Sequence, residues 1–198
     1  MGELAPIGPN AVHVAIDMQR VFAEPGGWQV PGIPAILPNT LALSKAMPGR
    51  TLFTRFVTPA RPDHAPGRWR LYYERWAEFT GETLGPERLD LVEELSAMAN
   101  PTDIIDKLTY SAFEAPEFAS RLETLRADTL IFSGVETDVC VLATLMSAVD
   151  RGFRVVAVED AMASSSPAGH DATLRQVLTR LPLQVDIAST ATVIGALD

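Results

Sequence analysis

The chain has 198 residues, 47% of them hydrophobic, with a net charge of −9 and a pI near 4.8. That length supplies one well-buried domain rather than two, and the acidic balance excludes a basic face able to wrap nucleic acid or anionic lipid. Cys140 is the single cysteine, which excludes an internal disulfide framework and a multi-thiolate zinc site, and His13, His64 and His170 are scattered without metal-ligand spacing. Neither a metal nor a cofactor is expected. Met1 to Asn10 lacks a basic region followed by an apolar core, and no later apolar run reaches membrane-spanning length. The expectation is therefore a soluble, cytoplasmic protein without a membrane or nucleic-acid partner.

Ala11 to Ile16 is apolar and β-branched apart from His13, the pattern of a strand buried on both faces of a parallel sheet, and it ends in Asp17. An acid at the carboxyl end of such a strand stands where open α/β sheets bind ligands. A Gly- and Pro-rich loop follows, then a helical pattern from Ile33 to Met47 and a second strand from Thr51 to Val57. The segment from Thr58 to Pro86 breaks the alternation and reads as a variable, aromatic-rich insertion. Its Trp69, Tyr72, Tyr73 and Trp76 recur at three- and four-residue spacing, a stripe on a short helix that packs on the domain or on another subunit, or else walls a pocket. Leu89 to Ala99 reads as a helix and Asp103 to Asp106 as a third strand, with Lys107 immediately beyond it.

Pro116 to Arg126 is helical and Thr129 to Ser133 is the fourth strand. It leads into Ser133-Gly134-Val135-Glu136-Thr137-Asp138-Val139-Cys140 and a helix from Asp138 to Arg151 carrying Leu142, Leu145, Met146 and Val149 on one face. Gly134 permits a sharp turn, and Cys140 falls in the first helical turn, where unpaired N–H groups and the helix dipole favour thiolate over thiol. Phe153 to Val158 forms strand five, ending in Glu159-Asp160. Ser164-Ser165-Ser166-Pro167 opens a helix to about Thr179, and Leu183 to Ile187 is strand six. No Gly-x-Ser-x-Gly elbow surrounds those serines, so a helix start is the plainer account of them. The alternation predicts a single domain over 1–198 of the α/β class, a three-layer α/β/α Rossmann-like fold on a parallel sheet with right-handed crossovers.

Asp17, Lys107 and Cys140 each follow a strand at its carboxyl end and can converge on one crevice. A thiol that attacks a carbonyl must lose its proton, a carboxylate can accept it, and an ammonium in reach favours the anionic partners. At Ala15-Ile16-Asp17-Met18-Gln19, at Lys107 with Ser111-Ala112-Phe113, at Ser133 to Val141, and from Gly152-Phe153 to Glu159-Asp160-Ala161, the chain resembles the isochorismatase-like cysteine hydrolases. That family includes nicotinamidases and N-carbamoylsarcosine amidases. The resemblance implies a six-stranded sheet of order 3-2-1-4-5-6, a nucleophile at Cys140, proton transfer by Asp17 and support from Lys107. It also implies a cis peptide between Val135 and Glu136, an oxyanion hole from the N–H groups of Glu136 and Cys140, and assembly as a dimer or tetramer.

Departures from the family narrow the expectation. Nicotinamidases carry an Asp-x-His pair and a further His for a metal, whereas this chain has only the adjacent Asp63-His64. Isochorismatases proper need no thiol, whereas Cys140 is present. The expected activity is hydrolysis of a C–N bond in a small amide or ureido compound through a cysteine thioester. The alternatives are ether or ester hydrolysis by Asp17 without covalent catalysis, and a non-catalytic thiol sensor on the same fold. Phe22, Arg55, Tyr72 and Trp76 are the candidate substrate-binding residues, from strand-end position and aromatic character.

Overall fold

Six runs rich in aliphatic and β-branched residues become strands: β1 (Ala11–Ile16), β2 (Thr51–Phe56), β3 (Ile104–Lys107), β4 (Thr129–Val135), β5 (Arg154–Ala163) and β6 (Val185–Ala188). In the computed structural model they pair in parallel in the order β3-β2-β1-β4-β5-β6, the order the resemblance implies. The structure describes residues 4–198; Met1–Glu3, the start of the N-terminal stretch read above, lie outside the described residues. Every residue of β1 and β4 is buried, because these two central strands are covered on both faces, and this is why neither shows a polar–apolar alternation.

The helices are α1 (Arg20–Ala23), α2 (Ile33–Ala46), α3 (Trp69–Arg75), α4 (Glu93–Ser96), α5 (Pro116–Thr124), α6 (Leu142–Asp150), α7 (Pro167–Ala172) and α8 (Thr190–Gly195). Phe118 and Leu122 of α5 and Leu145 and Ala148 of α6 pack with Val12, Val14, Leu130 and Phe132 on one side of the sheet. On the other side, Ile33, Ile36 and Leu43 of α2, Val193 of α8 and the aromatic segment after β2 pack with Ala15, Phe53, Ile131 and Val156. The result is three layers, α/β/α. No helix among the described residues is long and apolar enough to cross a membrane.

Three elements depart from the sequence reading, each for a tertiary reason. The helix expected over Leu89 to Ala99 shrinks to α4, because the chain before it is drawn out as a strap: Gln19 Nε2 donates to the Leu89 carbonyl at 2.6 Å, Arg20 N–H to that of Asp90 at 2.9 Å, and Val92 N–H to that of Met18 at 2.9 Å. Strand five does not stop at Val158. It bulges at Glu159-Asp160 and resumes to Ala163, while Asp160 Oδ1 caps α8 by accepting from Thr190 N–H and Oγ1 at 2.7 and 2.8 Å. The cysteine helix begins with a π-helical turn, Thr137–Val141, before α6. The short helices α1 and α8 carry too little periodicity to be read from sequence.

One ionisable group is sealed within the sheet. His13 Nε2 lies 2.8 Å from Ser133 Oγ, and its Nδ1 lies 3.3 Å from Ser44 Oγ and 3.4 Å from Thr51 Oγ1. Burial pushes its pKa down to about 3, so it is neutral in the folded chain. Below the ordinary histidine value of about 6.5 the unfolded chain binds a proton that the native chain does not, so stability falls as pH drops from there towards about 3. The slope from this group reaches at most about 1.4 kcal/mol per pH unit. Urea unfolding between pH 7 and pH 4 should show His13→Gln losing less stability than the wild type; equal losses would contradict this assignment.

Candidate active site

The sheet order reverses between β1 and β4, and that is where the candidate residues collect. β1 runs towards β3 through β2, while β4 runs towards β6, so the connections diverge and leave a crevice beyond the strand ends. Asp17 is the first residue after β1, and Cys140 stands one turn beyond β4. The two strands come close enough that a Cβ on Gly134 would collide with the Ile16 carbonyl oxygen, and Gly134 adopts φ 106°. Asp17 itself has φ 50°, in the left-handed region that Asp tolerates, which turns the chain sharply at the strand end.

Lys107 reaches this point from two strands away. It is the last residue of β3 rather than the residue after it, and it pairs across the ladder with Phe56. Its Nζ lies 2.7 Å from Asp17 Oδ2, with the two side chains 0% and 1% exposed. The ammonium also donates to the Thr109 carbonyl at 3.1 Å and sits 4.9 Å from the centre of the Phe56 ring. The other carboxylate oxygen, Asp17 Oδ1, accepts from Thr54 Oγ1 at 2.6 Å, and the same hydroxyl oxygen accepts from Asp17 N–H at 3.1 Å. No further nitrogen or oxygen of the described residues bonds Oδ2. Burial alone would pull the Lys107 ammonium down, but Asp17 and Cys140 together lift it above the ordinary lysine value.

Cys140 is buried beside this pair, and the charges of both members act on its thiol. The placement in a first helical turn favours thiolate on sequence grounds, and the structure corrects that expectation. Burial first, and then the Asp17 charge, push the thiol far above its ordinary range, and Lys107 offsets them only in part. The surroundings of Cys140 therefore favour the thiol over the thiolate. The peptide between Val135 and Glu136 is cis. The Glu136 carbonyl accepts from Val139 and Val141 N–H, each at 3.1 Å, and the wide π-helical turn leaves the Cys140 N–H between them out of that pairing.

A cleft of about 300 Å³ opens over the thiol, lined by Phe22, Trp28, Phe56, Tyr72, Trp76 and Tyr110 with Glu136 and Ser165 at its edge. Phe22, Tyr72 and Trp76, named from sequence, stand in this wall. Arg55 does not. Thr54 and Phe56 face the site, so strand alternation turns Arg55 to the opposite side, where it holds Asp106 through two hydrogen bonds of 2.7 and 3.0 Å and Asp90 through one of 2.9 Å. Trp28, Phe56 and Tyr110 escaped the sequence reading. The alternation that removes Arg55 also selects Phe56, whereas Trp28 sits in a Gly-rich loop with no periodic signal. In the fold it is a hub, stacked on Phe79 at 4.1 Å between ring centres and on Phe22 at 6.0 Å.

The residues after β2 do not fit a metal ion: Asp63 is exposed and held by two hydrogen bonds from Arg61, at 3.1 and 3.0 Å, and among the described residues no three His, Cys, Asp or Glu side chains gather as ligands.

Acid, ammonium and thiol thus meet at the switch point of a doubly wound α/β sheet. Residues 11–192 match the isochorismatase domain, and the chain belongs to the isochorismatase family of hydrolases. It is 27% identical over 185 residues to nicotinamidase 3 of Arabidopsis thaliana, covering 91% of this chain and 87% of that protein. It is 24% identical over 193 residues to N-carbamoylsarcosine amidase of Arthrobacter sp., covering 96% and 71%. Among solved structures, a cysteine hydrolase from Pseudomonas syringae pv. phaseolicola 1448A superposes with a TM-score of 0.80 at 26% identity, over 98% of this chain and 95% of that one.

Proposed function

We propose that the protein hydrolyses a C–N bond in a small amide or ureido compound through a thioester on Cys140. The observation that carries this reading is the buried Asp17–Lys107 pair held against the chain's single cysteine. Amidase relatives support the same class of substrate. Because the thiol is held neutral, it needs an acceptor, and Asp17 Oδ2 is the available one. As Sγ bonds to the substrate carbonyl carbon, its proton passes to Asp17, and the carbonyl oxygen gains the negative charge. The N–H groups of Glu136 and Cys140 are the donors for that oxyanion. Collapse breaks the C–N bond, and the leaving nitrogen takes the proton from Asp17. A water then gives a proton to Asp17 as its oxygen bonds to the thioester carbon; collapse breaks the C–S bond, the sulfur takes that proton back from Asp17, and the acid leaves.

Lys107 acts as the fixed positive charge that holds Asp17 in place, 2.7 Å away in a dry site. The raised thiol also weighs against a sensor role, since a redox-sensing cysteine works through a depressed pKa. The test is ammonia release from a panel of primary amides, ureido acids and carbamoyl compounds, against esters and vinyl ethers as controls. Release from amides by the wild type, with Asp17→Asn slower by about 10³-fold or more and its residual rate rising with pH, is the expected result. The rise follows because without Asp17 the thiol must lose its proton to solvent. Turnover of the esters or ethers alone would favour the non-covalent reading instead.

A further inference from the structure

The cleft over Cys140 has flat aromatic walls and one charge of its own. Phe22, Trp28, Phe56, Tyr72, Trp76 and Tyr110 present the rings, and among the described residues Glu136 is the only charged side chain in the lining; the Arg75 guanidinium lies against Trp76, 5.5 Å from its ring centre, and is not part of the lining. Arg55, the cation nearest in sequence to the strand ends, is turned away onto Asp90 and Asp106, and the Lys107 charge beneath the cleft is matched by Asp17. Glu136 is fixed from one side only. Its Oε2 accepts from Ser165 N–H at 2.6 Å and Ser164 Oγ at 3.2 Å, while Oε1 has no hydrogen-bond partner among the described residues. Its charge reaches across the cleft: the Tyr72 hydroxyl is pushed up by burial and then by Tyr110, Cys140 and Glu136.

We infer that this cleft selects amides bearing a positive charge, an ammonium or quaternary nitrogen seated among the ring faces and against Glu136, and turns away amides bearing a carboxylate. The negative faces of aromatic rings attract a cation, and a nearby carboxylate adds to that attraction. An anionic substrate would shed its water into a site with no cation in its lining and a like charge on Glu136. The neutral donors in the wall, Trp28 Nε1 and the Gln29 side chain, carry no charge to offset it. The volume, about 300 Å³, suits one ring or a short branched chain beside the amide. This names the substrate class of the proposed amide hydrolysis and rests on that reading for its chemistry, though its binding test does not need turnover.

The probes are benzyltrimethylammonium and benzoate, titrated into the wild type at low salt with Trp28 and Trp76 fluorescence as the signal, and with weakened binding in Tyr72→Ala as the check that they occupy the cleft. The cation should bind about tenfold or more tightly than benzoate. That preference should shrink about fivefold in Glu136→Gln, and should fall in the wild type as ionic strength rises from about 0.05 to 0.5 M. Equal binding, tighter benzoate, or a preference that ignores salt would overturn the inference, and the salt series stands even if the Glu136 variant fails to fold. A protein that binds the cation but cleaves no amide keeps the selectivity and loses the hydrolysis. One that cleaves neutral amides while binding both probes alike does the reverse.

Discussion

Cys140→Ala should abolish amide turnover, by about 10⁴-fold or more, while leaving the fold in place. The sulfur is the only atom removed, from a site at the edge of the core, so the stability cost is about 1 kcal/mol. Asp17 and Lys107 remain paired in the variant, and the cleft keeps its aromatic wall, so substrate should still bind with a Kd near the wild-type value. The split between lost chemistry and kept binding is the informative part. Measured by ammonia release and by fluorescence titration on the same samples, it separates a nucleophile from a residue that merely packs. Substantial turnover in the variant would transfer the reaction to Asp17 acting on water.

Lys107→Met should be the most destabilising single change at the site. The ammonium is fully buried against a buried carboxylate, and removing it leaves Asp17 in the interior without its counter-charge. Breaking such a pair from one side costs about 3–5 kcal/mol, much more than the pair contributes relative to apolar residues of the same shape. Adding Asp17→Asn to Lys107→Met removes the stranded charge and should recover part of that loss, so urea unfolding of the four proteins should show a coupling of about 2 kcal/mol or more. Additive losses would mean that the two side chains do not sense one another in solution. Activity should stay low in both single variants and in the double, since the proton acceptor is either misplaced or gone.

The parts of this architecture that were legible in the sequence are those set by local pattern. Mostly apolar runs, interrupted by His13 in β1 and by Ser133-Gly134 near the end of β4, mark these strands as buried on both faces, and an acid after one and a cysteine after the other lie at the switch point once the sheet order is known. What could not be read is what depends on tertiary partners. Asp90 to Val92 continues a helical pattern in the sequence yet lies extended, because Gln19 and its neighbours claim backbone groups from Leu89 to Val92. Arg55 and Phe56 are adjacent in sequence, and only the pleat of β2 against β3 decides that the ring faces the thiol and the guanidinium faces Asp106. Helix position alone does not give the state of the thiol: burial and the Asp17 charge oppose the helix end and outweigh it. The aromatic stripe shows both of its possible uses at once, with Tyr73 buried in the core and Tyr72 and Trp76 turned to the cleft.

The measurement that bears most directly on the covalent route is the intact mass of the enzyme after millisecond acid quench with an amide it turns over, followed by peptide mapping. A mass gain equal to the acyl group less one hydrogen, on the peptide carrying Cys140 and absent from Cys140→Ala, is the expected result. Turnover proceeding at the full rate with no acyl adduct, under conditions where an added nucleophile such as hydroxylamine also captures no acyl group, would contradict the thioester and leave Asp17 as the sole agent.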